Sequence, residues 1–152
     1  MFGTMMDVPL LVSSILKHAE AYHGDAEVVS ATVEGGFHRY SYADLAKRSR
    51  QLANALARLG LKTGDRVGTL AWNGYRHMEL YYGVSGSGFV CHTINPRLFR
   101  EQIAYIIEHA GDSVLFFDLT FQPIIEELAD QLKNLKAVAA MADAAHMPKS
   151  AI

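Results

Sequence analysis

The sequence is short of several features that mark specialised classes of protein. A single cysteine, Cys91, leaves no partner for an internal disulfide, so a reducing compartment, the cytoplasm, is the expected location. Fourteen basic and sixteen acidic residues give a net charge of −2, which provides no basic excess for binding nucleic acid. No apolar run approaches the ~20 residues that a membrane helix needs, so we expect no transmembrane segment.

The composition is that of a folded domain. Half of the residues are hydrophobic and a fifth are charged, which excludes a disordered chain. At 152 residues the chain is long enough to bury one core. We therefore interpret the pattern of apolar residues as a pattern of packed helices and strands.

The first sixty residues predict a helix, a hairpin and a second helix. Apolar residues at helical spacing before Gly24 indicate an amphipathic helix, and they are Leu11, Ile15, Ala19 and Tyr22. A β-branched run over 27–33 and a second run over 37–40 flank two glycines, which favours a β-hairpin. Ser41 and Asp44 have the spacing of a helix capping box, and the helix that follows runs to Leu59 and ends at Gly60.

The remainder alternates strands and helices. The pattern predicts strands over 66–72, 89–94, 114–118 and 137–141, with helices over 75–85, 101–110 and 121–132. Such alternation indicates βαβ units. We therefore predict an α/β fold, with a mostly parallel sheet flanked by helices, an N-terminal helix and a β-hairpin.

Residues 142–152 have no period and include Pro148, so they are interpreted as a linker. The last apolar strand has nothing beyond it to cover it, which suggests an incomplete domain.

The carboxyl ends of the predicted strands carry the polar residues of most interest. Ligands favour this edge of an open α/β sheet. Asn95 and Arg97 in the loop after the second strand of the sheet could bind an anion or an amide, although Asn95-Pro96 is also an ordinary turn. His92 could face a cleft, or it could simply pack against its neighbours. Cys91 and His92 are adjacent on a predicted strand and point to opposite faces, so they cannot form a nucleophile–base dyad.

Other motifs are unconvincing as sites. The glycines at 83, 86 and 88 follow a helix instead of opening one, so they do not form a dinucleotide loop. The seven histidines have no metal-ligand spacing. The residues alone therefore predict no catalytic set, no cofactor site and no metal site.

Four segments resemble a known family. They are Gly64–Asn73, Tyr75–Gly88, Cys91–Leu98 and Gln102–Ala110, and they are similar to the N-terminal part of AMP-forming acyl-CoA synthetases. The similarity is strongest to bacterial medium- and long-chain fatty-acid-CoA ligases, with the branch acting on methylmercaptopropionate also close. It extends to about Met141, so residues 1–141 are predicted to be an N-terminal subdomain and 142–152 a truncated tail.

The resemblance implies a two-step ligase. A fatty acid, ATP with Mg²⁺, and coenzyme A are its implied substrates and cofactors. The phosphate loop and the later motifs of the family do not occur in these 152 residues, and no catalytic residue of the family maps onto them. We therefore expect a scaffold fragment that is inactive alone, with His92, Asn95 and Arg97 in a loop near the substrate.

Two alternatives remain open. The chain could be a stand-alone interaction module, without catalysis, that forms a homodimer through an uncovered apolar flank. It could also be a small nucleotide binder that uses the loops of Asn73, Asn95 and Asp118. No loop offers a ring of backbone amides for phosphate, which counts against the second alternative.

Overall fold

The computed structural model describes residues 3–149. Within that range helices and strands follow the alternating order that the sequence predicts, with a 3₁₀ turn at Leu119–Phe121. The helices are α1 (Val12–His23), α2 (Tyr42–Arg58), α3 (Tyr75–Ser85), α4 (Arg100–Ala110) and α5 (Gln122–Glu127). The strands are β1 (Glu27–Ala31), β2 (Phe37–Ser41), β3 (Arg66–Leu70), β4 (Val90–Thr93), β5 (Asp112–Asp118) and β6 (Ala137–Met141).

Four of the strands form one parallel sheet. Their order is β4-β3-β5-β6. The chain passes from β3 to the edge strand β4, and then crosses to the other side of β3 to form β5. The strands β1 and β2 pair antiparallel in a separate hairpin. The predicted α/β class, with a parallel sheet and an antiparallel hairpin, is confirmed.

Helices cover both faces of the sheet. On one face, Val67 and Val114 pack with Leu56 of α2 and Leu80 of α3. On the other face, apolar side chains of the same strands pack with α4 and α5, and the buried members of this cluster include Leu70, Leu115, Ile103, Ile107 and Ile125. Burial on both faces explains why the strands have nearly continuous apolar sequences.

The local turn and capping signals predicted their structures correctly. Gly35 and Gly36 have φ angles of 101° and 79°, which glycine adopts at little cost, and they close the hairpin. Asp44 N donates to Ser41 Oγ, and Ser41 N donates to Asp44 Oδ2, each at 3.2 Å. This capping box begins α2 where the sequence placed it.

The first helix forms as predicted, but its main apolar stripe faces outward. Leu11, Ile15 and Tyr22 are 57%, 59% and 74% exposed. Leu16 is instead the buried side chain of α1, and it packs against Leu45 of α2. Neighbouring helical positions differ by about 100° in direction, so packing against α2 through Leu16 leaves Ile15 at the surface.

The last helix is shorter than the sequence predicted. It ends at Glu127, and not at Leu132, because the backbone continues in tighter turns such as the bond from Gln131 N to the Leu128 carbonyl at 2.9 Å. Leu128 and Leu132 are nevertheless buried in the core, as a continued helix would have made them. Spacing of three and four residues fits both arrangements, so apolar periodicity could not separate them.

Both edge strands of the sheet are unpaired on their outer sides among residues 3–149, since β4 and β6 each have one neighbour. No described helix combines the length and the apolar character needed to cross a membrane.

Gly83 allows close packing of α3 on α2, and a methyl group there is predicted to destabilise the fold. A Cβ at this position would lie 2.9 Å from the Ser49 carbonyl oxygen and 2.9 Å from Leu52 Cδ2. We expect Gly83→Ala to lower the unfolding free energy by about 1–3 kcal/mol, measured by urea denaturation, despite the better helix propensity of alanine. Gln51→Ala, at an exposed position of α2, is the control and should change little. An unchanged or increased midpoint for the Gly83 variant would contradict this packing.

Candidate functional site

The candidate site lies where the chain changes direction at the carboxyl ends of β3 and β5. The loop after β3 leads to α3 on one face of the sheet, and the segment after β5 leads to α5 on the other face. Such a switch between adjacent strands opens a crevice, and ligands of open α/β sheets bind there. The predicted strand over 66–72 ends at Leu70, so residues 71–74 form a free loop at this crevice.

The carboxylate of Asp118, at the end of β5, holds that loop in place. Its Oδ2 accepts a hydrogen bond from Trp72 N at 2.6 Å, and the Trp72 ring packs on Phe121 with centroids 5.1 Å apart. Asp118 is 6% exposed, and burial raises the pKa of its carboxyl, although the Trp72 hydrogen bond opposes this. The carboxylate therefore holds the loop through Trp72 N, and it also lines the small cavity beside Trp72.

Two clefts open beside this loop. One, of about 410 Å³, lies between the loop after β3 and the loop after β4, and it is lined in part by Trp72, Thr93, Asn95 and Arg97. The other, of about 390 Å³, lies between β1 and α3. The two clefts share three lining residues, namely Asn73, His77 and Tyr81. These three residues therefore form the wall between the clefts.

Asn95 and Arg97 line the first cleft, in the loop that the sequence singled out. The Asn95 side-chain oxygen accepts a hydrogen bond from Arg97 N at 3.0 Å, which makes Asn95 part of the turn. Both residues are exposed, and among the described residues no carboxylate lies within ion-pair distance of Arg97. An exposed guanidinium at the rim of a cleft is suited to binding an anionic group.

His92 points away from this loop, so the structure does not bring the three candidate residues together. Its Nδ1 lies 2.9 Å from both carboxylate oxygens of Asp112, at the amino end of β5. The contact crosses β3 at Gly68, where a Cβ would approach Asp112 Oδ2 to 2.7 Å. Burial raises the pKa of Asp112, and His92 opposes that shift. The pair is thus a contact inside the sheet, away from the cleft.

Cys91 lies on the other face of β4 and packs with the α2–α3 side of the core. Burial raises the pKa of its thiol to about 11, so the reactive thiolate is scarce at neutral pH. Cys91 and His92 do not form a nucleophile–base pair, as expected for neighbours on a strand.

His77 belongs to the site and was missed in the sequence. It is 5% exposed, its Nε2 lies 3.0 Å from Thr69 Oγ1, and its ring stacks on Tyr81 with centroids 4.6 Å apart. The available signal was its position three residues before Leu80 and seven before Val84, both buried, which places a polar side chain on the inward stripe of α3.

The hairpin is attached to the same helix by an ion pair that is almost fully buried. Arg76 Nη1 lies 2.9 Å from Glu34 Oε1, and their side chains are 16% and 6% exposed. This contact places the end of the hairpin over the crevice beside Trp72 and Asp118, where a small cavity remains. The pairing connects residues 42 positions apart, so no local pattern indicated it.

Comparison with known proteins gives a consistent result. Residues 16–151 match the family of AMP-binding enzymes. The chain is 54% identical over 136 residues to 3-methylmercaptopropionyl-CoA ligase of Ruegeria lacuscaerulensis, which covers 90% of this chain and 25% of that protein. It is 50% identical over 142 residues to medium-chain-fatty-acid–CoA ligase of Ectopseudomonas oleovorans, covering 93% of this chain and 26% of that protein.

A solved structure shows the same fold. An anthranilate CoA ligase in complex with anthranoyl-AMP superposes with a TM-score of 0.76 at 23% identity, covering 89% of this chain and 26% of that one. The chain thus spans about a quarter of the length of the proteins that it matches.

The buried charge of Asp118 predicts a pH-dependent effect of its removal. A carboxyl whose pKa is raised on folding stabilises the fold below its unfolded value near 3.8, and this contribution is lost as pH rises through the folded value. Relative to wild type, Asp118→Asn should therefore gain unfolding free energy between about pH 4 and pH 7, as measured by urea denaturation.

The matched control is Asp130→Asn at the surface, because the hydrogen bond from Lys133 lowers the pKa of Asp130. Its contribution is present above the unfolded pKa and is lost on acidification, so any trend with pH should have the opposite sign. A difference for Asp118→Asn that is flat, or that falls with rising pH, would show that the Asp118 carboxylate is not disfavoured by burial.

Proposed function

The chain belongs to the family of AMP-binding enzymes, and on that premise we propose that it forms the N-terminal portion of an acyl-CoA ligase. In the proposed reaction a carboxylate oxygen attacks the α-phosphate of ATP, which releases pyrophosphate and leaves an acyl-adenylate. The thiol sulfur of coenzyme A then attacks the acyl carbon, and AMP departs. The identity of 54% to a 3-methylmercaptopropionyl-CoA ligase is the observation that carries this proposal.

The described residues supply a scaffold in this reaction. Among residues 3–149 no group of three or more His, Cys, Asp or Glu side chains could hold a metal ion. The crevice carboxylate, Asp118, already accepts from Trp72 N. Our proposal assigns these residues a supporting role beside the substrate cleft and routes no chemical step through them.

Arg97 and Asn95 are the proposed contribution of this chain to substrate binding. Both line the cleft of about 410 Å³ at the carboxyl ends of the strands. His92 is withdrawn from this proposal because it faces Asp112.

We also propose that residues 1–141 are the N-terminal subdomain, that 142–152 are a linker, and that the protein works in the cytoplasm.

The proposed acid has a short or medium apolar chain. Support comes from the names of two relatives at 50% identity or more, a 3-methylmercaptopropionyl-CoA ligase and a medium-chain-fatty-acid–CoA ligase.

A chimaera tests the proposed function. The matching 142-residue segment of the Ectopseudomonas ligase is replaced by this chain, and formation of acyl-CoA and AMP is measured with octanoate and with 3-methylmercaptopropionate. We expect an active chimaera, and no AMP from the 152-residue chain alone. AMP production by the chain alone would contradict the scaffold role. A soluble chimaera with the oligomeric state of its parent but no activity would contradict the ligase assignment.

Arg97→Ala in that chimaera tests the role of the cleft. Loss of a hydrogen bond to a charged group costs about 1.5–3 kcal/mol, so KM for one anionic substrate should rise at least about tenfold while kcat changes less. Arg100→Ala is the matched control, because Arg100 is exposed nearby and pairs with Glu127. Equal effects of the two substitutions would show that Arg97 binds no substrate.

A self-associating module is the second candidate, and the exposed apolar stripe of the N-terminal segment favours it. Met5, Leu10, Leu11 and Ile15 are each more than half exposed. Such clustering is typical of an interaction surface. We expect light scattering to show a dimer of the chain that becomes a monomer in the double variant Leu10→Glu, Ile15→Glu. Lys17→Glu, at an exposed position of the same helix, is the control, and a wild-type monomer at all concentrations would exclude this function.

A further inference from the structure

We propose that Ser30 of the β-hairpin is a positioning residue for the candidate site. It supplies, from a separate sheet, the hydrogen-bond acceptor that α3 lacks at its first residue. It thereby helps to fix Asn73 in the wall between the two clefts. The contact itself rests on geometry, whereas its effect on a substrate rests on the proposed acyl-CoA ligase function.

The helix α3 has no side-chain cap of its own. Its N-cap residue is Gly74, which carries no side-chain acceptor for the free N–H groups of the first turn. Ser30 of β1 provides that acceptor instead, because its Oγ accepts a hydrogen bond from Tyr75 N at 3.0 Å. Donor and acceptor are 45 positions apart in the chain. The start of α3 is therefore bonded to the hairpin.

The Ser30 hydroxyl is oriented for this bond. It donates its own hydrogen to the carbonyl of Ala31, with the two oxygens 3.1 Å apart. A hydroxyl has one hydrogen to donate and two lone pairs that accept, so a lone pair remains for Tyr75 N. Valine at position 30 would lose both bonds, whereas threonine would keep the hydroxyl.

The cross-strand neighbour of Ser30 contacts the same residue of α3. His38 is the partner of Ser30 in the antiparallel register, and its ring stacks on Tyr75 with centroids 3.7 Å apart. Side chains that lie opposite each other in a ladder share one face of the hairpin. The hairpin thus binds the Tyr75 backbone with one side chain and the Tyr75 ring with the next. The buried pair of Arg76 and Glu34 adds a third contact.

Asn73 lies between two bonded points of the chain. Before it, Trp72 N donates to Asp118 of β5 at 2.6 Å. After it, Tyr75 N donates to Ser30 of β1. Asn73 lines both clefts and is exposed, and its amide can both donate and accept hydrogen bonds. A displacement of Asn73 would therefore change the polar contacts that both clefts present to a substrate.

Hydrogen exchange of the Tyr75 amide tests the cap in this chain. The first amides of a helix have no partner within the helix, so their protection reports an acceptor from elsewhere. We expect Tyr75 N to exchange at least about tenfold more slowly than Val12 N, the first amide of α1, whose N-cap Leu11 has no side-chain acceptor. Equal exchange of these two amides would overturn the proposal.

Threonine and valine at position 30 form a matched pair, because they have similar shapes and both suit a strand. Ser30→Thr should retain the slow exchange of Tyr75 N, whereas Ser30→Val should accelerate it about tenfold. Ile94 N, bonded within the main sheet, should stay protected in both variants. Val29→Thr, at an exposed position of the same strand, is the control and should leave Tyr75 N unchanged. If Thr and Val give the same exchange at Tyr75, Ser30 is not the cap.

The effect on substrate binding is measured in the chimaera with the Ectopseudomonas ligase. We expect Ser30→Val, but not Ser30→Thr, to raise KM for one substrate at least about threefold while kcat changes less. Asn73→Ala should raise KM for the same substrate. Adding Ser30→Val to it should have no further effect, because both substitutions act through one group. Additive effects would show that Ser30 does not act through Asn73.

Two readouts separate the failure of this proposal from the failure of the proposed function, because they need no activity. They are the Tyr75 exchange and the chemical shift of the Asn73 amide, which should change in Ser30→Val and not in Ser30→Thr. If both respond while the unsubstituted chimaera is inactive, the positioning role stands and the ligase assignment fails. If the chimaera is active and neither its KM nor the Asn73 shift responds to Ser30→Val, the positioning role fails and the ligase assignment stands.

Discussion

The hydrogen bond from Trp72 N to the Asp118 carboxylate joins the exits of the two central strands, and the candidate site depends on it. It forms where β3 and β5 send the chain to opposite faces of the sheet. Burial disfavours the charge of Asp118, so this bond offsets a real desolvation penalty. With Trp72 held, Asn73 lies between the clefts, and Gly74 can begin α3.

Polar pairs away from the cleft join separate elements of the fold. His92 and Asp112 meet across Gly68, and Arg76 and Glu34 attach the hairpin to α3. Each pair connects elements distant in sequence. A buried pair is weak evidence for stability, because the desolvation of both groups offsets their attraction. These pairs therefore fix how the hairpin, α3 and the strands of the sheet are arranged relative to one another.

Family membership and the site rest on different grounds. The family is shown by the match over residues 16–151 and by relatives at 50% identity or more. The cleft residues, in contrast, were predicted from their position after a strand, and the structure places Asn95 and Arg97 together in the cleft and His92 beside Asp112. A resemblance can identify the reaction of a family without indicating which side chains of one segment face the substrate.

Local sequence determined the elements of this protein, because caps, glycine turns and apolar periodicity act over a few residues. The box of Ser41 and Asp44 and the turn at Gly35 and Gly36 were predictable for this reason. Only the tertiary structure decided which face of α1 is buried, how α5 ends, that His77 contacts Thr69, and that Trp72 is bonded to Asp118. Those outcomes depend on which surfaces come together across the sheet, and the energy of such contacts is not encoded at any single position.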